Sequence, residues 1–502
     1  MKDCFKGVMV SFDEATDGFS HWLISSAGVR VSPKIFVGDL RNVNQGRCVL
    51  ASQDIGTDEV LFEIPRSSIL NIATCQLVRD FPQLKDVFWQ ELGHWEGLIL
   101  CMIYEIKVMG QQSFWWNYLQ VLPQSQDLNT LVYWSADQLA SLKPSLVVDR
   151  LGAEESQEMY RQILKYVENF GPEFQSKVGQ LSFEEFVYVA SVIMSYSFDV
   201  DLKGEEEEEE EEEDDDDEED EGESNVAHDK YMKSMVPLAD TLNADTKQFN
   251  AHLVYDKETL KMISVKPINM GQQVYNFYGE HPNAEILRRY GYVEWDGSQF
   301  DFGELPLSCI KQVLQREVPE ELIEMCLQLL QNDDTILEHL DQEQIVLESY
   351  DCFFDGQVIP ECLLLLQVLT VILQIPNVGD NLARELQRVV KKCLQLVESG
   401  RLTIKCLRLF EHCVDERLRQ YPNHSFREVT PIHQYVHDVD AQRGIMAQRV
   451  LQSEVESLQN CYLSLGEKVQ IIDDIKLMDN ILKKRTAPTQ KTKKETKRKR
   501  TH

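Results

Sequence analysis

The sequence predicts an α+β protein: a small β-sheet domain split by a long helical insertion and followed by an all-helical region. Three observations predict it. Strand-turn-strand patterns occur twice, at Cys48–Pro65 and at Leu260–Tyr275, about two hundred residues apart and so not a tandem repeat. Between them, apolar residues recur at the three- and four-residue spacing of amphipathic helices. After Tyr292 the same helical spacing takes over.

Residues 1–84 form the first part of the β domain. A short helical pattern (Phe19, Trp22, Leu23) leads into strand-like Val29–Val31 and Lys34–Val37. Cys48–Ala51 and Glu59–Pro65 flank Asp54–Asp58, which predicts a hairpin with a polar turn. Residues 85–230 read as the insertion, with helices over Trp95–Val108, Met159–Val167 and Phe183–Phe198. An acidic loop, 204–226, lies at its end, where added length costs little entropy. Residues 231–300 return to the β domain through Lys261–Val265 and Gln273–Tyr275, around a turn at Asn269–Gly271. Residues 301–482 predict helices over Leu307–Leu330, Cys362–Leu373, Leu382–Val397, Ile404–Leu418 and Ile445–Leu482, a separate domain of ordinary size. Residues 483–502 form a basic tail.

Composition narrows the class. Hydrophobic residues make up 43% of the 502 and charged residues 27%, the balance of a soluble globular chain. The longest apolar run, Cys362–Ile375, contains Gln367, Thr370 and Gln374 and is closed by Pro376, so it reads as a buried helix and not a membrane span. Asp3, Asp13 and Glu14 interrupt any secretory leader. Twelve cysteines without a Cys-x-x-Cys pair or a Cys/His cluster read as reduced, mostly buried thiols, and no metal site is expected.

Charge is unevenly distributed. Of the net −34, an unbroken acidic run from Glu205 to Glu221 plus Glu223 carries eighteen, while Lys483–Arg500 holds ten Lys/Arg against one Glu. Both blocks repel themselves and are read as disordered. The acidic run is a solvated loop insertion. It also suits transient docking of a basic partner, through a field reaching roughly 8 Å at physiological salt.

Candidate functional residues concentrate between Pro237 and Tyr292. Pro237-Leu238-Ala239-Asp240-Thr241-Leu242-Asn243-Ala244 precedes Tyr275-Asn276-Phe277-Tyr278-Gly279 and Leu287-Arg288-Arg289-Tyr290-Gly291-Tyr292. The Asn243 amide offers an acceptor and donors on a short arm, suited to a zwitterionic amino-acid moiety. Tyr278 and Tyr290 each precede a glycine, twelve residues apart, a frame that strand alternation does not require. In Gln45-Gly46-Arg47-Cys48, Gly46 permits close approach of backbone to a ligand. Ser195-Tyr196-Ser197-Phe198-Asp199 ends an apolar helix, and Trp95 starts another. Taken singly, each has a plainer reading as a turn, a polar helix end or core packing, and Trp115 and Trp116 read as packing.

The order of these motifs resembles the catalytic half of the SET-domain protein-lysine methyltransferases. Within them it is similar to the Rubisco large-subunit methyltransferase branch, nearest the fungal ribosomal lysine methyltransferases. The domain organisation extends this resemblance over nearly the whole chain. It implies a discontinuous SET domain, S-adenosyl-L-methionine as cofactor and Tyr278 as the catalytic tyrosine. By resemblance, Gln45, Gly46, Arg47, Tyr196, Asn243, Ala244 and Tyr290 contact the cofactor. Trp95, Ser197 and Asp199 contact the protein substrate, and the C-terminal helical domain docks it. Two positions depart from the family pattern. Cys48 stands where a second glycine is usual, and Ala244 replaces a histidine, which keeps a main-chain contact and excludes an imidazole.

The activity so implied is (mono)methylation of a lysine in a basic large-subunit (60S) ribosomal protein. The basic tail suits nuclear import or RNA contact, so the nucleus is the expected location, with the cytoplasm beside it. Two alternatives remain: the same chemistry on a histone, another non-ribosomal protein or a histidine acceptor, and a non-catalytic acidic escort for basic proteins. Neither a membrane nor an obligatory nucleic-acid contact is expected.

Overall fold

The computed structural model describes residues 10–43, 45–202, 230–375, 382–422, 438–475 and 477. The acidic loop 204–226 and the basic tail 483–502 lie outside the described residues. Two compact units emerge: Met1–Asp301 with Ser425–Glu454, and Phe302–His424 with Val455–His502. The stretch 438–454, which reads from sequence as part of the C-terminal domain, therefore belongs to the first unit. The reason is apolar burial: Met446, Ala447 and Val450 of the helix Val439–Lys468 pack into a core with Leu131, Trp134, Leu287 and Val293.

In the first unit, β1 (Arg30–Val31), β4 (Val60–Pro65), β8 (Thr259–Ser264) and β7 (Ala251–Tyr255) form a four-stranded sheet in the order β1-β4-β8-β7. Every pairing in it is antiparallel, with Ile64 opposite Leu260 and Leu253 opposite Met262. β2 (Ile35–Asp39) pairs separately with β3 (Arg47–Ala51). The expected hairpin between Cys48–Ala51 and Glu59–Pro65 is thus absent. β3 turns back on β2, while β4 pairs with β8, about two hundred residues later. Apolar burial drives this choice: Leu61, Phe62, Ile64, Leu260 and Met262 are all buried, with a register shift between Val60 and Phe62. The two sequence halves consequently share one sheet and one apolar core.

The insertion contributes the helices His94–Ile103, Ala153–Asn169 and Phe183–Tyr196. The last starts at a capping box, in which Ser182 Oγ accepts from Glu185 N at 3.2 Å and Glu185 Oε2 accepts from Ser182 N at 2.9 Å. It stops two residues earlier than periodicity suggests. Residues Ser197–Asp201 are extended and form β5, antiparallel to β6 (Tyr231–Met235).

The second unit is mainly helical, with Pro360–Ile372, Leu382–Glu398 and Ile404–Leu418 as its longer segments. It also carries two short ribbons that helical periodicity does not announce. β9 (Phe302–Pro306) pairs antiparallel with β10 (Ser349–Phe353), and β11 (Arg401–Thr403) pairs parallel with β12 (Gln470–Ile472). The helix expected over Leu307–Leu330 is two, Leu307–Leu314 and Glu320–Asn332, broken before Pro319 because proline restricts the residue ahead of it. Among the described residues no helix is long and apolar enough to cross a membrane. The eleven cysteines described are free and buried.

Candidate active site

The site is built where the segments around Asn243 and Tyr278 run side by side. Asn276 N donates to Asn243 O at 2.9 Å, and Ala244 forms a parallel bridge with Asn276. This register brings the Tyr278 hydroxyl to Leu242 O, to which it donates at 2.5 Å. The turn Ala239–Thr241 ahead of it is entered through Leu238, a non-glycine residue at φ 77°. The strain persists because Leu238 and Leu242 are both locked into the core.

Tyr290 completes the cluster from the end of the helix Asn283–Tyr290. Its ring lies 4.8 Å from that of Tyr278 at a 40° tilt, and its hydroxyl donates to Tyr278 O at 3.3 Å. Gly291 ends that helix at φ 75°, and a Cβ there would sit 2.8 Å from the backbone of Asn129 and Thr130. Only glycine fits, which is the structural reason for the Tyr-Gly step. Tyr292, one residue on, donates its hydroxyl to Ala244 O at 3.4 Å, so Ala244 takes part through its main chain.

Gln45, Gly46 and Arg47 approach from the first sequence half. Gln273 joins them to Asn243: its Oε1 accepts from Asn243 Nδ2 at 2.9 Å and its Nε2 donates to Gln45 Oε1 at 2.7 Å. Gly46 has φ 63° with no atom within 4 Å of where a Cβ would stand, so its backbone faces open space. The Arg47 guanidinium is fully committed to the protein, donating to Thr16 Oγ1, Val121 O and Phe12 O and covering the Phe12 ring. Burial, with Arg41 nearby, lowers its pKa to about 10. Any ligand contact from Arg47 therefore comes from its backbone.

Electrostatics tie Tyr196 to this cluster. Burial, and then the negative charge of Asp240, push its phenol up to about 12, with Arg47 opposing. Burial likewise holds the Tyr278 phenol far above its ordinary range, reinforced by Tyr196, Tyr290 and Asp240. Both phenols stay protonated at neutral pH. Asp240 is itself driven up to about 7 by burial, against a 2.5 Å hydrogen bond from Tyr118.

Trp95, Ser197 and Asp199 lie on the β5–β6 side. Trp95 and Asp199 line one cleft of about 360 Å³ together with Gly93, His94, Glu96, Met159, Tyr231 and Lys233. Asp199 is directly opposite Lys233 in the β5–β6 register, and Ser197 is opposite Met235. Burial raises the Tyr290 pKa, with Glu285 and then Asp199 adding to it and Arg289 opposing.

Sequence reasoning missed Gln273, Lys233 and the Asp240–Tyr118 pair. Asp240 stood inside a quoted motif, but its partner is 122 residues away, and nothing local marks the other two. Trp115 is the buried packing residue it was read to be, with its indole N–H on Ser68 O at 2.9 Å.

Together, the paired halves and the cluster of tyrosines at their junction define a SET-type catalytic domain. The SET domain family pattern matches residues 46–279. The chain is 44% identical to Ribosomal lysine N-methyltransferase 4 of Saccharomyces cerevisiae, over 96% of this chain and 98% of that protein. It is 27% identical to N-lysine methyltransferase SETD6 of Rattus norvegicus, over 61% of this chain and 60% of that protein. The solved structure of Rubisco LSMT bound to AdoMet superposes with a TM-score of 0.57 at 16% identity, covering 94% of this chain and 97% of that one. The chain belongs to the SET-domain protein-lysine N-methyltransferases, enzymes whose methyl donor is S-adenosylmethionine. Membership sets aside the non-catalytic escort. The residues present fit that cofactor: open backbone at Gly46 beside the amides of Gln45, Gln273 and Asn243 suits an amino-acid moiety.

Proposed function

We propose that this enzyme (mono)methylates a lysine of a basic protein of the large ribosomal subunit, with Tyr278 as its catalytic residue. The near-full-length identity to a ribosomal lysine N-methyltransferase carries the substrate reading. Two features support a basic partner: the cleft is rimmed by Glu96 and Asp199, and the acidic run lies in sequence between β5 and β6. The basic tail supports a nuclear location, where ribosomal subunits are assembled.

In this reading Gln45, the backbones of Gly46, Arg47 and Ala244, and the side chains of Tyr196, Asn243 and Tyr290 hold S-adenosylmethionine. When bound, it supplies a methyl group on a positively charged sulfur. The chain's own part is alignment and desolvation. Tyr278 spends its proton on Leu242 O, which fixes the ring and leaves oxygen lone pairs to accept from the substrate amine. A dry, cation-bearing site lowers the acceptor lysine's pKa, so the amine is neutral without a dedicated base. Holding amine and methyl in line is worth up to about 7–11 kcal/mol of barrier. Trp95, Ser197 and Asp199 seat the substrate segment.

The test is transfer of radiolabelled methyl from S-adenosylmethionine to purified large ribosomal subunits, with histones in parallel, followed by mass spectrometry of the labelled protein. Label on a subunit lysine with a single methyl is the expected result. Label on histones alone would assign the enzyme to another substrate.

A further inference from the structure

Within the cleft that the proposed function gives to the substrate, one residue is already a guest. Lys233 projects from β6 so that its ammonium is 2.6 Å from Asp199 Oδ1 and 5.3 Å from the centre of the Trp95 ring. A carboxylate on one side and an indole face on the other form the kind of seat that receives a lysine or arginine side chain. The register sets the two side chains side by side, because Asp199 and Lys233 are paired across β5 and β6.

The two partners are unequally exposed. The Lys233 side chain is 12% exposed and that of Asp199 is 54%, so the carboxylate remains approachable from solvent while the ammonium fills the inner side. Met159 lies along the same wall and Glu96 adds a second carboxylate to it. A cationic side chain arriving from solvent thus meets acidic groups, an indole face and one resident like charge.

We propose that Lys233 is a specificity-determining residue, an internal occupant of the Trp95–Asp199 seat that a basic side chain of the substrate must displace or share. The inference rests on the substrate reading of Trp95 and Asp199, and it gives that site a chemical preference: a Lys or Arg flanking the target lysine. Lys233 sets the threshold. A weakly basic segment does not outcompete a tethered ammonium, whereas a densely basic one does, because several of its cations are available for the same seat.

The test uses the full-length enzyme and hexalysine as the probe, with binding followed by calorimetry at low and at raised salt. Lys233→Met keeps the aliphatic stem and removes the charge. It should bind hexalysine about fivefold more tightly than the wild type, the worth of one partly exposed ion pair with a cation–π contact. The gain should shrink at raised salt and vanish in the Lys233→Met/Asp199→Asn double variant. Lys233→Arg should bind like the wild type, and Lys233→Gln substitutes for the Met variant if that one does not fold. Equal or weaker binding by the charge-removed variant overturns the inference. KM values for large ribosomal subunits separate the two ideas. If Asp199→Asn and Trp95→Ala raise KM but Lys233→Met does not lower it, only the role of Lys233 fails. If all three leave KM unchanged, the substrate site itself is misassigned and the inference falls with it.

Discussion

Replacing Asp240 by Asn should make the enzyme more stable, and increasingly so as pH rises. Asp240 is 7% exposed, and its Oδ2 accepts from Tyr118 while Thr241 Oγ1 lies 3.4 Å from Oδ1. Burial raises its pKa from 3.8 to about 7, so the folded protein holds this proton far more tightly than the unfolded chain does. A carboxyl shifted in this direction takes nothing from stability below pH 3.8 and progressively more as pH climbs towards 7, where the folded state must also give up the proton. The full cost above that range is about three pH units at 1.36 kcal/mol each, or about 4 kcal/mol. Between pH 5 and pH 8 the wild type loses roughly 2–3 kcal/mol of it. Asn keeps an acceptor for Tyr118 and has no proton to titrate. Other titrating groups, Glu294 among them (also raised to about 7 by burial), are common to both proteins and cancel in the difference. Urea unfolding of both proteins at pH 5 and pH 8, followed by tryptophan fluorescence, measures it. A stability difference between the proteins that is the same at both pH values would refute the argument.

Tyr278→Phe removes the hydroxyl that bonds Leu242 O, and should lower turnover on ribosomal subunits about a hundredfold or more, equivalent to about 2.7 kcal/mol of barrier, with S-adenosylmethionine affinity nearly retained. Radiolabelled-methyl assays and calorimetry on the same preparation read the two effects, and unchanged turnover removes the catalytic assignment. Gly291→Ala places a Cβ against immovable backbone at φ 75° and should destabilise by about 2–4 kcal/mol, seen as a lower urea midpoint. Gly46→Val puts a β-branched residue at φ 63° in the open space beside Gln45, and calorimetry should show S-adenosylmethionine affinity reduced at least about tenfold.

Some of this molecule is written locally. The helices Phe183–Tyr196 and Ile404–Leu418 announce themselves by apolar spacing and by capping at Ser182 and Thr403, interactions made within a few residues of chain. The split β domain is legible for a related reason, since period-two burial survives in each half. The motif residues Asn243, Tyr278 and Tyr290 were legible as a set, because their order and spacing carried the family resemblance. Their individual geometry was not.

What the sequence determined by itself is where most of the helices and the two halves of the β domain lie and which residues are candidates for the catalytic motif, because those signals depend on neighbours two, three or four positions away. Only the tertiary structure decided that β4 pairs with β8 and not with β3, that Gln273 bridges Gln45 to Asn243, that Tyr118 caps Asp240, and that Lys233 sits between Trp95 and Asp199. The physical reason is common to all four. Each contact joins residues whose local surroundings would satisfy other partners equally well, and the choice among them is made by burying one continuous core.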